Sequence, residues 1–153
     1  MNWQFFEGEL DREDVRQLLS QHFAEMRAGS PPEACHVLPI DGLRNDDIRF
    51  FTVREDGALL GCGALKTLSA DHGEVKSMRT TDGALGRGVG YALLSHLMTT
   101  AKSMGMTRLS LETGSTDQFA AALRLYEREG FQPTGPFGDY ADTPFTRFFT
   151  KAI

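Results

Sequence analysis

The chain has 153 residues, 41% of them hydrophobic and 24% charged, which suits one domain spanning 1–153 with a proper core. No apolar run approaches the ~20 residues of a membrane span, and Met1-Asn2-Trp3-Gln4-Phe5-Phe6-Glu7 has no basic flank, so neither a membrane association nor a secretory signal is expected. The net charge of −5 and the lack of a basic stripe argue against a nucleic-acid partner; two distant cysteines, Cys35 and Cys62, fit a reducing cytoplasm, and four scattered histidines give no metal spacing.

Residues 2–9 read as an aromatic-rich strand. Asp11 then reads as the N-cap of a helix, with Asp14 at N3 in the manner of a capping box. Val15, Leu18, Leu19, Phe23 and Met26 recur at helical spacing, and Gly29 before Pro31-Pro32 ends the helix. Residues 30–47 are rich in Pro, Asp and Gly and read as a loop with room for one short helix, either a substrate cover or a plain connector. Ile48 to Arg54 predicts a strand, Glu55-Asp56-Gly57 a hairpin turn, and Ala58 to Leu68 the returning strand. A turn at Ala70-Asp71-His72-Gly73 leads to a third strand, Glu74 to Thr80.

The run Leu85-Gly86-Arg87-Gly88-Val89-Gly90-Tyr91-Ala92-Leu93-Leu94 follows. Glycines crowd where a loop turns into an apolar helix, so Gly86, Gly88 and Gly90 allow unusual backbone angles and close approach of a ligand. The first helical turn carries amides without intrahelical acceptors, at the positive end of the dipole. That combination suits an anion, and a phosphate-bearing ligand is expected. Gly88 is followed by Val89 and Gly90 rather than Lys and Ser or Thr, which excludes the nucleotide-hydrolase loop. Leu93 stands where a dinucleotide fingerprint needs a third glycine. The net negative charge is no obstacle, because screening acts over ~8 Å at physiological salt and these contacts are shorter.

Leu93, Leu94, Leu97, Met98 and Ala101 form the buried stripe of that helix, which Gly105 closes. Arg108 to Thr113 predicts a strand. Asp117 can cap a helix with Phe119, Ala122, Leu123 and Tyr126 on one face and Gly130 at its end. Phe131 opens another strand, and Phe145 to Ile153 a last one. The order is β-α-β-β-β-α-β-α-β-β, an α/β (α+β) domain.

Three stretches together carry a family likeness: Gly73-Glu74-Val75-Lys76-Ser77-Met78-Arg79-Thr80, then Arg87-Gly88-Val89-Gly90-Tyr91-Ala92-Leu93-Leu94, then Leu123-Arg124-Leu125-Tyr126-Glu127-Arg128-Glu129-Gly130-Phe131. The chain resembles the GNAT superfamily of acetyl-CoA-dependent N-acetyltransferases over residues 58–132. The resemblance implies a mixed, mostly antiparallel central sheet of about six or seven strands with helices on both faces. It also implies that strands 74–80 and 108–113 run parallel and splay apart around the cofactor. By the same likeness Leu85, Gly86, Arg87, Gly88, Val89, Gly90 and Tyr91 hold the CoA diphosphate, and Met78, Arg79 and Thr80 pair with the pantetheine amides. Leu85 departs from the family's usual Gln or Arg. Phe119 stands where many members carry a CoA-contacting Asn, with Gln118 beside it. Arg87 either reaches a phosphate or is a solvated surface arginine.

Acetyl transfer to an amine needs the amine deprotonated, the developing oxyanion stabilised and the departing thiolate met by a proton. The family likeness makes Tyr126 the candidate acid, Glu74 the candidate base (directly or through water) and Glu112 its rival. A backbone N–H at Met78 or Arg79 is the candidate oxyanion donor. Arg79 pairs either with a carboxylate on the acceptor or, structurally, with Glu74 or Glu112. The implied activity is transfer from acetyl-CoA to a primary amine of a small molecule or peptide in a ternary complex; a noncatalytic acyl-CoA-binding module is the alternative. The acceptor is unspecified, with loop 30–47 and segment 135–144 expected to shape its pocket. Oligomeric state, including a homodimer, is left open.

Overall fold

The computed structural model of the chain describes residues 2–29, 39–115 and 119–153. Its strands are β1 (Trp3–Glu7), β2 (Ile48–Glu55), β3 (Ala58–Ser69), β4 (His72–Thr80), β5 (Arg108–Gly114), β6 (Gln132–Thr134) and β7 (Thr146–Ala152). They form a 7-stranded sheet in the order β1-β2-β3-β4-β5-β7-β6. Every neighbouring pair is antiparallel except β4 and β5. The helices are α1 (Glu13–Gly29), α2 (Val89–Ser103) and α3 (Ala120–Arg128).

Alternation along β2 and β3 sends side chains to two different cores. Phe50, Cys62 and Ala64 pack with Val15, Leu18 and Leu19 of α1. Phe51 and Leu65 face the other way, onto Leu94, Leu97 and Ala101 of α2. Helices therefore cover both faces, and the central strands read as continuous apolar runs because neither face meets water. Tyr126 of α3 belongs to the α2 core, with Phe131 and Phe149.

Local chemistry sets several element ends. Asp56 and Gly57 take φ of 49° and 86°, the left-handed pair of a tight hairpin turn. Gly105 and Gly130 end α2 and α3 at φ of 89° and 92°. His72 and Gly73, read as part of a turn, belong to β4, and two details at the start of α1 also differ from the sequence reading. Asp11 does not cap α1: the helix begins at Glu13, and Asp11 accepts a bond from Arg44 at 2.6 Å instead. Asp14 is drawn to Arg54, whose guanidinium lies 2% exposed and also bonds Glu9 at 3.0 Å. A buried charge of that kind outcompetes a reciprocal cap for the carboxylate. Of the long loop expected over 30–47, residues 40–44 form a 3₁₀ turn (Ile40–Arg44); residues 30–38, like Asp117 and Gln118, lie outside the described residues.

One irregularity shapes the site. β4 and β5 pair in parallel from His72↔Arg108 to Val75↔Leu111 and no further, although β4 runs on to Thr80 and β5 to Gly114. The β3–β4 register slips between Cys62 and Ala64, opposite Ser77, which sits at φ 52°. An extra residue in one strand kinks it and increases its twist. The bulge turns the end of β4 away from β5, and the Cys62 thiol donates to the Ser77 carbonyl at 3.4 Å.

Candidate active site

The glycine run folds as a loop entering α2. Gly86 and Gly88 lie at φ of 78° and 86°, and a Cβ at either would meet nothing within 4 Å. The loop therefore presents bare, open backbone. The helical ladder starts with Ala92 N–H donating to the Gly88 carbonyl at 3.0 Å, so the amides of Val89, Gly90 and Tyr91 precede it and have no acceptor within the helix. These donors fit a diphosphate group on helix-terminus chemistry alone. Gly90 corrects the sequence reading: it is helical rather than left-handed, and a Cβ there would lie 3.2 Å from Leu125 Cδ2, a tight contact that the leucine tip would have to yield to. That contact seats the loop against α3 one residue before Tyr126. Val89 is buried in the core, while Leu85 and Tyr91 are exposed.

Arg87 is turned away from the loop's amides. Its guanidinium bonds both oxygens of Glu55 at 2.8 and 3.0 Å and lies over the Trp3 ring, 5.7 Å from its centroid. Arg79 pairs with Glu25 of α1, not with Glu74 or Glu112 as the sequence suggested. The bulge explains this, since it reorients β4 between Glu74 and Arg79.

A cavity of about 350 Å³ opens at the end of β4, lined by His22, Glu25, Met78, Arg79, Phe119 and Ala122 among others. Met78, Arg79 and Phe119, all named from sequence, thus share one cavity wall; Thr80 lies at the end of the same strand, paired with Gly61. Phe119 sits against Gly114, where any Cβ would overlap its ring. His22 is a residue the sequence reading passed over. It is 94% buried by its 6% exposure, its Nδ1 has no partner among the described residues, and burial, then the Arg79 charge, lower its pKa to about 4. Tyr126 lies buried on the α2 side with its ring edge-on to Phe131, and burial pushes its phenol up to about 12.

Glu74 occupies the opposite face of the sheet from Tyr126. It is 2% exposed, opposite Lys66 on β3 and Ser110 on β5. Its Oε2 accepts bonds from the Tyr140 hydroxyl at 2.5 Å and the Lys76 ammonium at 3.2 Å, and Lys76 also donates to the Tyr140 oxygen at 2.6 Å. Burial, then the Glu74 carboxylate, drives the Tyr140 phenol far above the ordinary range, with Glu112 adding to the effect. A cleft of about 280 Å³ is lined by Lys66, Glu74, Lys76 and Tyr140 together with Leu68, Gly138 and Asp139. Glu112 lies half-buried on β5, opposite Phe148. Sequence spacing gave no sign of the Tyr140 contact, because 66 positions separate it from Glu74.

A sheet whose one parallel pair opens around a strand bulge, with a glycine-led helix N-terminus beside the gap, defines an acyl-CoA N-acyltransferase architecture. A profile of the acetyltransferase (GNAT) family matches residues 12–131. The uncharacterized N-acetyltransferase YsnE of Bacillus subtilis is 43% identical over 145 residues, covering 95% of this chain and 96% of its own. The IAA acetyltransferase of Azospirillum brasilense is 36% identical over 124 residues, 80% of each chain. Among solved structures, the PaiA N-acetyltransferase of Thermoplasma acidophilum in complex with coenzyme A superposes with a TM-score of 0.76 at 17% identity, covering 100% of both chains, which shows the shared fold. The chain belongs to the GNAT acetyltransferase family.

Proposed function

We propose that the chain moves an acetyl group from acetyl-CoA to a primary amine of a small molecule or peptide, by direct attack in a ternary complex. The observation that carries this reading is the opening of β4 from β5 beyond Val75, beside the glycine-led start of α2. Backbone amides of residues 85–91 would hold the diphosphate, and the β5-facing edge of Met78 to Thr80 would take the pantetheine amides. Acetyl-CoA supplies an activated thioester.

The residues then divide the proton work. Glu74 takes the proton that the attacking amine must lose, directly or through water, with Glu112 as its rival. A backbone N–H at Met78 or Arg79 meets the thioester carbonyl, a contact typically worth about 3 kcal/mol in the transition state. Tyr126 remains protonated at neutral pH because burial raises its phenol, and that is the form that donates to a departing thiolate.

Calorimetric titration with acetyl-CoA, followed by turnover over a panel of amines, tests the reading. Saturable heat and CoA release with at least one amine are expected; absence of heat at millimolar acetyl-CoA would end it. Glu74→Gln should lower activity most at low pH, where the amine most needs a base. An unchanged pH–rate profile would transfer that role to Glu112 or to water.

A further inference from the structure

We propose that Tyr140 is a positioning residue for the general base: its hydroxyl, with the Lys76 ammonium, holds one oxygen of Glu74 so that the other serves the acceptor amine. The inference rests on the assignment of Glu74 under the proposed function. It is carried by an asymmetry in the carboxylate. Both bonds to Glu74 end on Oε2, at 2.5 Å from Tyr140 and 3.2 Å from Lys76. Among the described residues Oε1 makes no hydrogen bond, and Glu74 lines the cleft that Lys66, Leu68, Gly138 and Asp139 complete. The two donors also bond each other at 2.6 Å, which closes a three-membered ring of contacts around Oε2. A carboxylate gripped at one oxygen by two donors loses its rotational freedom, so the free oxygen keeps a defined direction.

The Tyr140 ring is itself held. Phe137 meets it edge-on with centroids 5.3 Å apart, and Phe148 of β7 packs against it at 5.8 Å. The segment after β6 thus reaches across the sheet and fixes a group on β4. Lys66 from β3, Lys76 from β4, and Asp139 and Tyr140 from the segment after β6 line the cleft with Glu74; His72 bonds Ser110, the β5 residue opposite Glu74, at 2.7 Å, and the Glu112 charge acts on Tyr140. Removing the Tyr140 hydroxyl takes away a donor to the ionised carboxylate and leaves that charge set otherwise intact. The loss should therefore fall on kcat, through the orientation of Glu74, and not on acetyl-CoA binding.

The test is a double-mutant cycle of Tyr140→Phe and Glu74→Gln, read as pH profiles of kcat and of kcat/KM, with the amine found by the turnover panel. Tyr140→Phe alone should lower kcat about tenfold. Its KM and calorimetric Kd for acetyl-CoA should stay within about twofold, which also establishes that the variant is folded. In the Glu74→Gln background the same change should have no further effect on kcat. Equal losses in both backgrounds would show that Tyr140 acts independently of Glu74 and overturn the proposal. A normal profile for Tyr140→Phe beside an impaired Glu74→Gln would overturn the positioning role and leave the base assignment standing. Full activity in Glu74→Gln would overturn the base assignment, and the positioning role with it.

Discussion

Gly61→Ala probes the joint between the sheet and the cofactor edge. An alanine Cβ there would lie 2.7 Å from the Arg79 carbonyl oxygen, 3.0 Å from Val89 Cγ1 and 3.1 Å from Leu93 Cδ1. The two apolar neighbours can give by a rotamer adjustment, but a backbone oxygen can retreat only if β4 moves. Overpacking of this kind costs about 1–3 kcal/mol. At about 2 kcal/mol, a chain of this length should lose about 4–8 °C in Tm. Arg79 belongs to the stretch proposed to take the pantetheine amides, so on that proposal the displacement should also weaken CoA binding about tenfold, equivalent to about 1.4 kcal/mol. Scanning calorimetry and titration with CoA measure both quantities on one preparation. Gly83→Ala is the control, because a Cβ there meets nothing within 4 Å and its φ is not left-handed; it should stay within about 0.5 kcal/mol of the parent. A Gly61→Ala protein with the parental Tm and CoA affinity would refute the inference that a side chain at position 61 must push the Arg79 backbone aside.

Three further expectations concern single side chains. Tyr126→Phe should lower kcat at least about tenfold while leaving CoA affinity unchanged; equal loss of both, measured by steady-state kinetics and titration, would remove it as the acid. His22 has a folded pKa of about 4 against an ordinary 6.5, so its neutral form is favoured in the folded state. Its contribution is fully present above about pH 6.5 and is lost as pH falls toward 4; denaturant unfolding at pH 7 and pH 5 should differ by about 2 kcal/mol from this residue, and His22→Gln should remove that difference. Cys62 is fully buried, which pushes its thiol up to about 12. In a Cys35→Ser background, thiol reagents at pH 8 should label Cys62 only after denaturation; rapid labelling of the folded protein would contradict its burial.

The family was legible from three short stretches because their chemistry is local. A glycine-led helix start, a strand and a Leu-Tyr-x-x-x-Gly-Phe helix end each depend on neighbours within a few residues, and backbone angles at Gly88, Gly105 and Gly130 are read from residue type. Element order followed from hydrophobic periodicity for the same reason, whereas helices on both faces of the sheet came only from the family resemblance. The capping role of Asp11 failed where locality failed: Arg44 and Arg54, both distant in the chain, claim the carboxylates of Asp11 and Asp14.

Composition and spacing by themselves determined that this chain builds a sheet with a glycine-entered helix and carries Tyr126, Glu74 and Glu112 on defined elements. Only the tertiary structure decided which charges meet. Strand register set Lys66 opposite Glu74, the β4 bulge sent Arg79 to Glu25, and the segment after β6 brought Tyr140 onto Oε2 from 66 positions away. Hydrophobic pattern and turn chemistry act over a few residues, whereas the partner of a buried charge is chosen by whichever opposite group the packed fold delivers within hydrogen-bond reach.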